Sequence, residues 1–292
     1  MATTIWSGLT LGAVYAIVAS GFTLSLLPSG VFNFAQGALV IGGTYLTYLW
    51  LHTLGLPELA ALPLNAICGA IAGAACELFT VRPLRWGKSA PGSQSELVTT
   101  VGMSTALIGA MGLIWGYDPL QVPFNSATKT LSFLGVRAAP VEIVLVVGAV
   151  VIAIALWAWF TLTRTGQACL AVAEDREAAT LRGINVSLLS IGAFAAAGAL
   201  GGIAGIAIGP VTYAIPTLAN TLALGGFVAI ALGGEGSFLG ALLGGLAVGL
   251  VSAFATRYIG ANYSNLSVFV VLLATLAARP RGLGGVMEAR HV

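Results

Sequence analysis

Apolar residues in this chain run in stretches of about twenty before a polar or glycine-rich break interrupts them. Nine such stretches occur, at about residues 5–27, 31–51, 58–80, 96–116, 139–161, 186–208, 217–233, 237–256 and 263–278. About 20 apolar residues wound as a helix cross the hydrocarbon core of a bilayer. Helices satisfy their backbone N–H and C=O groups internally, as lipid requires. A membrane barrel would instead show strands of about ten alternating residues. The pattern therefore predicts an all-α, polytopic transmembrane bundle of about eight or nine spans, in one domain over residues 1–292. The stretches at 31–51 and 217–256 are rich in glycine, which predicts broken or re-entrant helices there.

Composition agrees with lipid as the solvent. Hydrophobic residues make up 58% of the chain and charged residues 8%, with 39 glycines and 11 prolines. An ordinary soluble domain carries about 25% charged residues. The net charge of +2 is spread too thinly to form a nucleic-acid surface. Cys68, Cys76 and Cys169 show no metal or redox spacing, and His52 and His291 have no acidic or cysteine neighbours in sequence. No phosphate-cradling P-loop motif occurs. No chain of acids lies at mid-span depth, as a proton-coupled carrier would need.

The placement of the basic residues sets the orientation. None precedes Arg82, and the first apolar run is too long for a signal core, so it reads as a retained span. Arg82, Arg85 and Lys88 follow the third span, Arg164, Arg176 and Arg182 the fifth, and Arg279, Arg281 and Arg290 the last. If every span crosses, these clusters share one side, which the positive-inside rule makes cytoplasmic. The amino terminus then lies outside, unless the first segment fails to cross. Lys129, Arg137 and Arg257 are single charges on the opposite side. The outer loop at 117–138 reads as a connector, or as a surface that meets a soluble partner.

Against this background the stretch R-T-G-Q-A-C-L-A-V-A-E-D-R-E-A-A-T-L-R-G at 164–183 stands out. It holds six of the 22 charged residues. Ala168 to Leu181 are mostly good helix formers, and Gly183 supplies a left-handed cap. Ala178 and Ala179 allow close approach of another surface. Leu170, Val172 and Leu181 offer apolar contacts, and Glu174, Asp175, Arg176 and Glu177 offer charges. Spacing alone fits equally a helix that docks on a soluble partner and a solvated loop helix.

This stretch resembles the cytoplasmic coupling loop of ABC importer permeases, with Glu177, Ala178, Ala179 and then Gly183 matching its E-A-A…G pattern. Three further blocks resemble the branched-chain amino-acid branch of those permeases. They are V-F-N-F-A-Q-G at 31–37, G-G-E-G-S-F-L-G at 233–240 and R-P-R-G-L-G-G at 279–285. With R-G-I-N at 182–185 they fall in the family's order along nearly the whole chain. One departure is Leu170, where many members of the family carry a basic residue.

The resemblance implies a membrane subunit, not an enzyme, of an ATP-driven importer in a bacterial inner membrane. It implies a second, related permease, two cytoplasmic ATPase subunits and an extracytoplasmic binding protein. ATP and magnesium would be bound by the ATPases, leaving no cofactor in this chain. ATP-driven closure would act on the loop at about 164–185 and switch the pathway between sides. The cargo implied is a branched-chain or other hydrophobic amino acid, with urea, amides or aromatic acids as alternatives. The rival classes are an ATP-independent carrier or channel and an intramembrane enzyme.

Polar residues inside the spans are the candidates for the substrate pathway. Asn33 and Gln36 are spaced i, i+3 and would share a face if helical. Pro28, Ser29 and Gly30 precede them and predict an interrupted helix. The same residues fit a structural role equally, with Asn33 capping the next helix and Gln36 tying two helices together. Tyr15 and Ser20 on the first span are further pathway candidates. Gly69 and Gly73, and Gly198 through Gly205, read as packing residues. Glu235 sits in a glycine-rich turn, and Glu77 and Glu142 near span ends are expected at the interface.

Overall fold

The computed structural model describes residues 1–86, 94–123, 131–133 and 136–278. The expectations that rest on Lys88, on Lys129, on His291 and on the terminal block at 279–285 with Arg290 lie outside these. The fold is a bundle of long apolar helices. In chain order they are α1 (Ala2–Ser29), α2 (Gln36–Tyr48), α3 (Glu58–Cys76), a short α4 (Arg82–Trp86) and α5 (Gln94–Trp115). They continue with α6 (Pro140–Leu162), the short pair α7 (Arg164–Glu174) and α8 (Arg176–Leu181), α9 (Val186–Thr212), α10 (Leu218–Gly233), α11 (Phe238–Tyr258) and α12 (Ser264–Ala278). Among the described residues six helices are long and apolar enough to cross a membrane, and α10 and part of α12 are shorter apolar helices. With α2 they occupy the nine apolar stretches of the sequence.

Two apolar segments leave the α-helical path through π-turns that contain no glycine. A π-turn, Leu49–Thr53, prolongs α2, and a second, Glu77–Val81, joins α3 to α4. Glycine-rich 217–256 is two helices joined by a tight turn. The loop at 117–138 is not wholly irregular. It contains two short antiparallel strands, β1 (Leu131–Phe133) paired with β2 (Val136–Ala138), in the register Leu131 opposite Ala138. Upstream of it, Leu120 pairs with Ala214, which follows α9, through two backbone hydrogen bonds of 3.1 and 3.0 Å.

Helix α1 is the centre of the bundle. Of its most apolar window 83% is buried, against 28% for the α3 span, 17% for α5 and 22% for α6. The outer helices turn large apolar side chains outward, among them Ile71 and Phe79, Leu113, and Val144 and Val151. In water such a surface would be ruinous. In lipid it is the expected one, and the drive for helix association must come from close packing and polar ties instead.

Small residues provide that packing. On α1 a Cβ added to Gly12 would sit 2.9 Å from the Gly245 carbonyl oxygen of α11. On α3 a Cβ added to Gly73 would overlap the Phe194 carbonyl of α9 and meet Gly198 Cα at 3.0 Å. The G-x-x-x-G of Gly69 and Gly73 thus serves helix contact inside one chain.

The two ends of the bundle differ. At the end that carries the amino terminus, Trp6 Nε1 donates to Glu142 Oε2 at 2.7 Å, tying the starts of α1 and α6. At the far end α1, α4, α6 and α10 finish and α7 and α8 lie, so Arg82, Arg164, Arg176 and Arg182 are borne by one end. Glu77 departs from expectation. It does not reach an interface but is 1% exposed inside the π-turn, because α9 and α5 pack over that turn.

Candidate functional site: a charged corner and a broken helix

Two irregular features meet at the far end. The first is the charged stretch. Its sequence reads as one helix over Ala168–Leu181, but the chain makes two helices with a corner between them. The reason is Asp175. Its backbone is extended (φ −149°, ψ 104°), and its carboxylate Oδ1 accepts from the N–H groups of Glu177 and Ala178, each at 2.9 Å. Asp175 therefore ends α7 and caps α8. Thr163 caps α7 in the same way, accepting from Gly166 N–H at 3.1 Å. Gly183 closes α8 with φ +83°, and Ile184 N–H reaches back to the Ala179 carbonyl at 3.1 Å. Asn185 Oδ1 then caps α9 through Leu188 N–H at 3.0 Å.

The apolar face of this corner is built into the bundle. Cys169 clusters with Leu24 of α1, Phe160 of α6, Ala197 of α9 and Phe238 of α11, with Leu170 half-buried against them. Burial pushes the Cys169 thiol up to about 11, which keeps it neutral and unreactive at physiological pH. Val172 and Ala179 pack with Val186. Leu170, Val172 and Ala179 therefore face the helix bundle, whereas the sequence offers all three to a partner.

The opposite face is open. Glu174, Asp175, Glu177 and Gly183 are exposed, Ala178 is half-buried, and Leu181 is 89% exposed. Arg176 is turned inward. Its Nη1 donates to the Ser29 carbonyl oxygen, the last of α1, at 3.3 Å.

The second feature begins at that carbonyl. Helix α1 contains Pro28 and ends in a left-handed Gly30 (φ 74°), whose N–H bonds the Leu26 carbonyl at 2.6 Å. Residues 31–35 form a turn before α2 starts at Gln36. Ser29 Oγ accepts from Val31 N–H at 3.0 Å, and Thr100 Oγ1 of α5 donates to the Phe32 carbonyl at 3.2 Å.

Asn33 and Gln36 do not share a helical face, because only Gln36 is in α2. Asn33 Oδ1 accepts from Ala35 N–H at 3.2 Å, a local turn. Gln36 Nε2 donates to the Ala197 carbonyl of α9 at 2.9 Å, passing close by Gly21 of α1. Both side chains are fully buried, and Asn33 Nδ2 and Gln36 Oε1 find no hydrogen-bond partner among the described residues. Tyr15 and Ser20 are also buried in α1. Tyr15 lies against Gly225 of α10, and Ser20 Oγ bonds its own helix at the Ala16 carbonyl, 2.8 Å away. None of the four lines the groove beside Phe34.

The phenylalanines of the break are arranged otherwise. Phe22, Phe32, Phe34 and Phe227 form a cluster of edge-on and tilted pairs with ring centres 5.6 to 6.5 Å apart. Phe34 also lines an open groove of about 190 Å³ with Val101, Ser104, Asn220, Ala223 and Leu224. Sequence reading missed this groove, since its lining comes from three segments far apart in the chain.

It also missed Asn65, a fully buried side chain with four hydrogen bonds. Asn65 Nδ2 donates to the Gly43 carbonyl (3.1 Å), Thr47 Oγ1 (2.8 Å) and the Gly202 carbonyl (3.1 Å). Its Oδ1 accepts from Trp50 Nε1 at 2.9 Å. One amide thus ties α3 to α2 and α9. The only signal in the sequence is an asparagine in a span with no other polar residue near it. Glu235, in the α10–α11 turn, is exposed between Gly234 (φ 100°) and Gly236 (φ 82°), with Ser237 capping α11. Among the described residues no group of three His, Cys, Asp or Glu could hold a metal ion.

Known proteins extend this picture. The family model described as the permease component of branched-chain amino acid transport systems matches residues 4–276. The high-affinity branched-chain amino acid transport system permease protein BraD of Pseudomonas aeruginosa is 30% identical, covering 98% of this chain and 96% of its own. The corresponding LivH of Escherichia coli is 28% identical over 99% and 96%. The ribose import permease protein RbsC of Escherichia coli is 27% identical over 90% and 82%. These relatives are transport permeases, not enzymes, and the match runs through both the broken helix and the charged corner. The chain belongs to the family of permease components of branched-chain amino acid transport systems.

Proposed function

We infer that this chain is one of two membrane subunits of an ATP-driven importer that brings a small solute across a bacterial inner membrane. The observation that carries this reading is the near full-length similarity to permeases, joined to the form of the α7–α8 corner. That corner is fastened to the bundle on one face and open on the other, as a docking element must be.

In this reading the corner lies on the cytoplasmic side and sits on an ATPase subunit. The exposed Glu174, Asp175 and Glu177 and the projecting Leu181 form the contact. Ala178 and Ala179 let α8 lie close between the two proteins, and Gly183 fixes where it stops. ATP and magnesium bind to the two ATPases, and this chain contributes no cofactor site. A second permease completes the pathway and an extracytoplasmic binding protein delivers the cargo. ATP binding moves the corner only if ATP favours one arrangement of the assembly over the other.

Asn33 and Gln36 hold the break between α1 and α2 in shape, and Tyr15 and Ser20 support α1 beside it. The pathway wall is the groove of Phe34, Ser104 and Asn220. Its apolar lining with two polar groups suits a hydrophobic amino acid, the cargo class in the names of BraD and LivH. The similarity to a ribose permease shows that related chains serve other cargoes.

Purification from native membranes in mild detergent, with mass spectrometry of the co-purifying proteins, tests the reading. The expected result is a second permease, P-loop ATPases and a binding protein whose ligand is an aliphatic amino acid. A chain that purifies alone and transports in vesicles without ATP would overturn it.

A further inference from the structure

We propose that Arg176 is a positioning residue that carries movement of the coupling corner to the break between α1 and α2. The inference rests on the importer reading above. The sequence offers Arg176 to the ATPase, together with its acidic neighbours. The structure turns it the other way. Arg176 is the first residue of α8, and Asp175 fixes the start of that helix through two backbone hydrogen bonds. From there the guanidinium reaches the Ser29 carbonyl at 3.3 Å.

That carbonyl is the last of α1, a helix end that Gly30 closes by donating to the Leu26 carbonyl. The end of a helix also carries partial negative charge, which a cation stabilises. A guanidinium suits the place because it presents a planar fork of donors and stays charged at any physiological pH.

The contact matters because Ser29 is the last residue before the break. Gly30 is left-handed, and residues 31–35 are held by turn and side-chain bonds in place of a helical ladder: Ser29 Oγ on Val31, Asn33 Oδ1 on Ala35, Thr100 on Phe32, and the backbone turns from Phe34 N–H to Phe32 and from Gln36 N–H to Asn33. Such a joint hinges more readily than a helix. It bears Phe34, which lines the open groove. A displacement of α8 therefore has a direct route to the groove wall, from Arg176 through Ser29 and Gly30 to Phe34. Ala179 of α8 also packs on Val186 of α9, but the Arg176 contact is the one that reaches Ser29 at the break.

The test uses the whole assembly in proteoliposomes, with the partner permease, the ATPases and the binding protein. Solute imported and ATP hydrolysed are measured together for wild type, Arg176→Gln and Arg176→Lys. The expected result is intact co-purification of the ATPases and sustained ATP hydrolysis in both variants. Import per ATP falls about tenfold in Arg176→Gln and severalfold in Arg176→Lys, which keeps the charge but loses the fork. ATP-dependent labelling of Phe34→Cys by a water-soluble maleimide should be lost along with it. Import per ATP equal to wild type in both variants would overturn the inference. If Arg176→Gln does not accumulate in the membrane, Arg176→Lys decides alone by the same criterion. Loss of ATPase binding in the variants would also overturn it, placing Arg176 in the docking face instead. Failure of the importer reading shows separately, as ATP-independent import by the wild-type assembly, and removes both.

Discussion

Replacing Asn65 by alanine removes the tie that holds α3 to α2 and α9. Asn65 is fully buried and makes four hydrogen bonds, at 2.8 to 3.1 Å, to Gly43, Thr47, Gly202 and Trp50. Side-chain hydrogen bonds between membrane helices contribute about 0.6 kcal/mol each on average and about 1.7 at most. Four of them give about 2.5 kcal/mol, and the two amide hydrogens shared among three acceptors lower the figure. The methyl group of alanine leaves a void between backbones brought close by Gly43 and Gly202, which raises it. The expected loss is about 2–3 kcal/mol. Equilibrium unfolding of the purified chain in mixed micelles, titrated with a denaturing detergent, measures it. A cycle with Thr47→Val isolates one bond, with an expected coupling of about 0.6 kcal/mol. A loss below about 0.5 kcal/mol for Asn65→Ala would refute the argument, because the amide would then contribute no net tie.

Two further outcomes are expected at the corner. Leu181, almost fully exposed, is the largest apolar group that docking would cover. Burying a leucine side chain contributes about 1.5–3 kcal/mol, so Leu181→Gln should weaken ATPase binding by about one to two orders of magnitude in a pull-down titration, with normal membrane insertion. An unchanged affinity would place the contact elsewhere. At Gly183, a Cβ meets nothing within 4 Å, so any cost comes from the left-handed backbone at φ +83°. Gly183→Ala should destabilise by about 1–2 kcal/mol, and Gly183→Asn, which tolerates that conformation, by clearly less. Equal losses for both would show that the backbone there relaxes.

Much of this protein was legible because its physics is local. A helix end at Gly183 needs only a residue without a Cβ at the left-handed position, so the spacing alone placed it. The break near Gly30 follows from a proline and a glycine in succession. The corner at Asp175 was equally local, but a helix-favouring run hid the capping carboxylate within it. Inward and outward faces were harder. Val172 and Ala179 turn inward, Leu181 outward, and Arg176 points to Ser29, because α7 and α8 meet at an angle that their own residues do not specify.

The same division runs through the whole chain. By themselves, the apolar stretches determined that the chain is a membrane bundle, since lipid thickness and backbone hydrogen bonding constrain each span independently of the others. The four sequence blocks determined its family. Only the tertiary structure decided that α1 is central, that Asn65 joins three helices, that Glu77 is buried, and that Phe34 shares a groove with Ser104 and Asn220. Each of these depends on which helices are neighbours. In lipid that choice is made by close glycine contacts and a few buried polar groups, and almost any apolar face satisfies the solvent equally well. Periodicity along one span therefore says little about which span lies beside it.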